Sequence, residues 1–120
     1  VGVDGVIAFA VEVGPSVGRV VDKLGLPGIG EEKAMKLTDK ILRRVELDKL
    51  KINQPKWAYR EEKNDGLWKT FPCVVKPRDC AGAKGVRIAK NAYEIGLNYD
   101  LLEEFLEQPN WELSVEVLCL

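Results

Sequence analysis

Apolar residues in this chain follow a helical rhythm in its first third and gather into strand-length runs in the rest. Val17, Val20, Val21 and Leu24 stand at i, i+3, i+4 and i+7, one face of an amphipathic helix. Pro15 suits the first turn of that helix, and Gly25 with Pro27 marks its stop. Ahead of it "DGVIAFA", residues 4–10, is a short apolar run of the kind that a buried parallel strand shows. Strand then amphipathic helix is half of a βαβ unit, so residues 1–30 read as the tail of an α/β domain.

A second helix is predicted over "EEKAMKLTDKILRR", residues 31–44, whose acidic start and basic end suit the helix dipole. Ala34, Leu37 and Ile41 form its apolar face, and on one continuous helix Lys36 and Lys40 share a flank of that face. "ELDKLKINQP" is a connector with a short helix ending before Pro55. Strands are predicted at "PKWAYR", "FPCVVK", "GVRIAK" and "LLEEFL", with a loop around "KNDGLW" and a short helix at "NAYEIGLNY" that Asn91 can cap. A fifth strand over residues 111–119 has the clearest period of two. Trp111, Leu113, Val115, Val117 and Cys119 point one way, and Glu112, Ser114 and Glu116 the other. No internal repeat is visible.

Composition narrows the function. The 120 residues are 46% apolar and 31% charged, which is globular rather than disordered. No apolar run approaches the roughly 20 residues of a membrane helix, and a formal charge of −1 gives no general attraction to nucleic acid or acidic lipid. Histidine is absent, so no histidine base, triad or histidine-ligated metal exists within the chain. Cys73, Cys80 and Cys119 are an odd number without C-x-x-C spacing, which fits a reducing, cytoplasmic setting. Both ends, "VGVDGVIAFA" without a methionine and "WELSVEVLCL", read as cuts through secondary structure, and the expectation is a piece of a larger protein.

The chemistry concentrates in "FPCVVKPRDCAGAKGVRIAK", residues 71–90. An apolar strand delivers Lys76 beside Ala81, Gly82, Ala83 and Gly85, so an ammonium and exposed backbone N–H groups converge where an anion could approach closely. By itself this pattern also describes a hairpin turn with a solvated lysine. "GLPGIGEE" has the glycine spacing of a Walker loop but glutamates in place of its lysine and hydroxyl residue. "GIGEEK" lacks the third glycine of a dinucleotide fingerprint. "GAKG" matches the G-x-x-G of a KH-type RNA module literally, but that loop should join two helices, and Pro77 with β-branched flanks puts this one between strands. Glu112 and Glu116 lie about 13 Å apart on a strand, too far for a glycosidase pair.

"VVKPRDCAGAKGVRIA" resembles the strand, lysine, glycine loop and strand of the ATP-grasp superfamily. "LGLPGIGEEKAMKLTDK" is similar to the stretch that leads into that domain, and "LLEEFLEQPNWELSVEVL" to its adenine linker and following strand. The resemblance spans essentially the whole chain and takes in the carbamoyl-phosphate synthetase, biotin carboxylase and amino-acid ligase branches. It implies an α+β and α/β fragment. Residues 1–30 would be the end of a preATP-grasp domain and 31–55 linker helices. Residues 56–106 would form the first ATP-grasp subdomain with its phosphate loop, and 107–120 the first strand of the second.

The resemblance also implies roles. Lys40 and Lys76 would contact the nucleotide phosphates, with Gly82 and Gly85 and the amides of Ala81 and Ala83 folding over them and Lys84 reaching the γ-phosphate. Glu103 and Leu106 belong to the linker whose backbone reads adenine, and Glu112 would bind the ribose hydroxyls. Cys80 stands where glycine is common and Ala83 where serine is. Such enzymes use ATP to phosphorylate a carboxylate, which a nucleophile then attacks. Mg²⁺ is expected, with ligands beyond this chain, so no metal ligand and no catalytic residue is assigned within it. The implied partners are ATP, a small carboxylate and the remainder of the parent polypeptide, with a homodimer left open. The rival reading is a non-enzymatic scaffold of degenerate ATP-grasp type, or a nucleic-acid module using the GAKG loop.

Overall fold

The computed structural model describes residues 2–9, 13–60, 68–97, 99–107 and 115. Three helices come first: α1 (Gly14–Leu24), α2 (Gly30–Thr38) and α3 (Lys40–Lys49). They are followed by β1 (Trp57–Tyr59), β2 (Cys73–Lys76), β3 (Arg87–Ala89), α4 (Ala92–Ile95) and β4 (Leu101–Glu104). The strands form one antiparallel sheet in the order β1-β4-β2-β3. The architecture is α+β.

α1 begins and ends where its sequence signals stand. Pro15 occupies the first turn, and Gly25 takes a φ of 62° while its N–H donates to the Val21 carbonyl. Its packing on α2 depends on Gly18, because a Cβ there would lie 2.5 Å from the carbonyl carbon and oxygen of Gly30. The two helices therefore meet backbone to backbone, and Val21 and Ala34 are buried beside the contact.

Two expectations fail here. Residues 5–9 carry no strand, and Ile7 and Phe9 are 73% and 77% exposed. A parallel strand needs hydrogen-bonding neighbours, and the sheet of the described residues contains only β1 to β4. The single helix predicted over residues 31–44 is two helices, broken at Asp39, whose ψ of 115° is extended. The Asp39 carboxylate accepts from the N–H groups of Ile41 and Leu42 at 2.9 and 3.0 Å, so it caps a new helix instead of continuing the old one. α3 then runs to Lys49, past Arg44, where the second helix was expected to end, and into the expected connector.

The sheet sorts its side chains by alternation. Cys73, Val75, Ala89 and Leu102 are buried with Ile95 of α4, and Trp68, Phe71 and Tyr99 pack against them. Asn91 caps α4 by accepting from the Glu94 N–H at 3.1 Å, as its sequence predicts. On the opposite face, register sets Val74 beside Glu103 and Lys76 beside Leu101. The fifth strand expected at residues 111–119 lies outside the described residues but for Val115.

Candidate functional site

Lys76 is the last residue of β2, and its position in the alternation puts it on the face away from the apolar core. From there the chain passes Pro77 into the loop. Gly82 and Ala83 adopt φ values of 62° and 58°, and the Lys84 N–H donates to the Ala81 carbonyl at 3.3 Å. Two successive positive φ values closed by that bond describe a tight turn of the hairpin class. A second turn follows, with the Val86 N–H on the Ala83 carbonyl at 3.1 Å and Gly85 at φ 72°. A Cβ on Gly82 would meet nothing within 4 Å, so this glycine is required by its φ and leaves open space above the backbone.

The capping residue at the break between α2 and α3 also ties the helices to this loop. The second Asp39 oxygen accepts from Arg78 Nε at 2.6 Å, and the Lys40 N–H donates to the Arg78 carbonyl at 3.1 Å. Asp100 accepts from the Arg78 N–H at 3.0 Å on the other side. Lys40 is thus fixed at the first residue of α3, and its ammonium donates to the Cys80 carbonyl. Lys36 sits on the other helix and pairs with Glu32 at 2.8 Å. The shared flank expected of Lys36 and Lys40 is lost with the helix that would have carried it.

Between the helices and the loop lies a cleft of about 750 Å³. Lys40, Arg43 and Lys76 line it with Asp79, so among the described residues three cations face one carboxylate. Cys80, Ala81, Gly82 and Ala83 form one wall, and Pro15, Leu37, Thr38 and Val86 supply the apolar part. An anion is what such a cleft attracts.

Lys76 is held from behind by Glu103, whose Oε2 is 2.5 Å from the lysine Nζ. The other oxygen of Glu103 accepts from Arg44 of α3, through Nε at 2.9 Å and Nη2 at 2.7 Å. Glu103 is 4% exposed. Burial opposes its charge, but the hydrogen bonds from Lys76 and Arg44 outweigh that and hold its carboxyl below the usual carboxylate range. Cys73, in the core, is pushed up by burial, which makes it an inert thiol.

Of the residues proposed from sequence, Lys40, Lys76, Ala81, Gly82 and Ala83 come together in one cleft. Lys84 and Gly85 complete the loop without lining that cleft, and Gly85 packs close over Pro77. Glu103 lies in an inner strand, opposite Trp57 on one side and Val74 on the other, so its carboxylate is what it offers across elements. Leu106, 57% exposed, follows the end of β4, and Glu112 lies outside the described residues. Sequence reasoning missed Arg43, although three residues after Lys40 on a helix is a same-face spacing that could have found it. It also missed Arg44, which no local pattern separates from its neighbour.

No protein-family model matches the chain, and no curated protein matches it. Among solved structures its fold is similar to an L-amino acid ligase from Bacillus licheniformis, with a TM-score of 0.70 and 23% identity over 86% of this chain and 26% of that one. It is also similar to a D-alanine–D-alanine ligase from Helicobacter pylori, with a TM-score of 0.63 and 21% identity over 80% of this chain and 34% of that one. The chain therefore spans about a quarter of the first and a third of the second. The fold described above is thus similar to that of part of each of these two ligases.

Proposed function

We propose that this chain supplies the nucleotide-binding part of an ATP-dependent ligase that activates a carboxylate as an acyl phosphate for attack by an amine or another nucleophile. One observation carries the reading. Lys40 and Lys76, far apart in sequence, line a single cleft with the glycine loop that resembles the phosphate loop of the superfamily. The residues fit a triphosphate tail: cations on two sides, backbone N–H groups on a third, and no side chain above Gly82. In this reading Lys40, Lys76 and the amides of Ala81, Gly82 and Ala83 hold the phosphates, and Lys84 and Gly85 belong to the closing loop. The linker backbone at Leu106, past the end of β4, meets adenine, and Glu112 the ribose.

Phosphoryl transfer asks a protein mainly for positioning and charge neutralisation, which fixed ammonium groups and loop amides provide. Magnesium is a different matter. Among the described residues no group of three or more His, Cys, Asp or Glu could hold a metal ion, so no step is assigned to one within this chain. Its ligands are proposed to come from the rest of the parent polypeptide, without which these residues would be catalytically incomplete. Of the three branches considered, the amino-acid ligases are preferred, because both similar structures bear that kind of name. A cytoplasmic setting is proposed from the thiols Cys73 and Cys80, both free. Among the described residues no helix is long and apolar enough to cross a membrane. The nucleic-acid alternative finds its GAKG loop between β2 and β3 rather than between helices.

The test is calorimetric titration of the intact protein with a non-hydrolysable ATP analogue, followed by ADP release in the presence of ATP, Mg²⁺ and single amino acids. Binding in the micromolar to millimolar range and ADP release that depends on an amino acid are expected. A protein that retains no nucleotide at millimolar concentration overturns the reading.

A further inference from the structure

We infer that Arg44, which does not touch the cleft, is the positioning residue that lets Lys76 present a positive charge to the nucleotide. The inference rests on the function proposed above. Lys76 and Glu103 are diagonal neighbours across β2 and β4, since Lys76 stands opposite Leu101 and Glu103 opposite Val74. Left to themselves they would form a neutral pair. Such a lysine offers an approaching phosphate little net charge and has a buried carboxylate to leave before it can turn. The structure adds a third member. Arg44 places two nitrogens on Glu103 Oε1, at 2.7 and 2.9 Å, and leaves Oε2 to Lys76.

One carboxylate between two cations leaves the group with a single positive charge, and Lys76 is the member that lines the cleft. The arginine side chain is 14% exposed. It is held on its far side by Gln54, whose oxygen accepts from Nη1 at 3.0 Å and whose amide nitrogen donates to the Arg44 carbonyl at 3.0 Å. It therefore stays with Glu103 whether or not Lys76 turns to a ligand. A planar guanidinium with two nitrogens on one oxygen does this better than a lysine could.

The test is charge compensation, read by titration of the intact protein with a non-hydrolysable ATP analogue. Arg44→Met converts the trio to a neutral pair and should weaken binding about tenfold. Adding Glu103→Gln to it removes the surplus carboxylate, restores one net positive charge and should return affinity to within about threefold of the original. A purely structural role for Arg44 predicts no such recovery, because the second change removes a further hydrogen-bonding partner. Should Arg44→Met not fold, Arg44→Gln, uncharged but still a donor, takes its place with the same expectation. Unchanged affinity in the single variant overturns the inference, and so does a double variant that stays as weak as the single one. Absence of binding by the unaltered protein overturns the ligase reading itself, which separates the two failures.

Discussion

Replacing Lys76 with methionine removes one charge while keeping most of the side chain's length and apolar stem. Two consequences can be worked from the geometry. In the folded protein Glu103 loses its 2.5 Å bond but keeps both nitrogens of Arg44, so it is not stranded as a lone buried charge. The cost is that of one charge-assisted bond between side chains 25% and 6% exposed, about 1–2 kcal/mol. It is not the larger penalty of an unpaired buried ion.

The pH dependence follows from the same pair. Glu103 has its carboxyl lowered in the folded state, so its contribution is fully present above the ordinary carboxylate range and is lost as pH falls through the lowered value. Methionine at position 76 weakens the lowering, so the stability gap between variant and original should be full at neutral pH and shrink in acid. In binding, the lost contact is an ammonium on phosphate, worth about 1.5–3 kcal/mol, or roughly 10- to 100-fold in Kd. Urea denaturation at pH 7 and pH 3.5 reads the first effect, and calorimetric titration with an ATP analogue reads the second. A folded variant whose nucleotide affinity stays within about twofold would refute Lys76 as a phosphate ligand. A stability gap that does not narrow in acid would refute the account of Glu103.

Three further outcomes are expected. Gly18→Ala forces a Cβ to within 2.5 Å of the Gly30 carbonyl group, backbone that cannot step aside alone, and should cost about 1–3 kcal/mol by denaturation; unchanged stability would mean that α1 and α2 are not in contact as described. Asp39→Ala removes the α3 cap and the Arg78 partner together, and should cost about 2 kcal/mol while weakening nucleotide binding through a displaced Lys40. Arg43→Ala, at an exposed residue lining the cleft, should leave the urea midpoint unchanged and weaken triphosphate binding several-fold, about 0.5–1.5 kcal/mol; equal loss for adenosine and for ATP would show that Arg43 does not meet phosphate.

Strand-length apolar runs were enough to place β2, β3 and β4, and the proline and glycine punctuation enough to bound α1. Asn91 marked α4, and the thinning of side chains after Lys76 marked the loop. These features are local, set by φ, by the period of side-chain directions and by which residue can satisfy a helix end, so a short window of sequence contains their causes.

What the window does not contain is a partner from elsewhere in the chain. The residues of "TDKILRR" carry a helical pattern, yet the helix breaks at Asp39, where Arg78 comes from 39 residues away to bind the same carboxylate. Glu103 looks like one acid among several in "LLEEFL", and only the pairing of β4 with β2 gives it Lys76 and the stacking of α3 over the sheet Arg44. The apolar run near the start has strand character but no strand beside it among the described residues, so it stays exposed. Burial and charge pairing depend on which distant groups share a volume. Sequence named the lysines and the loop, and tertiary contact decided that they face one cleft and what holds each lysine there.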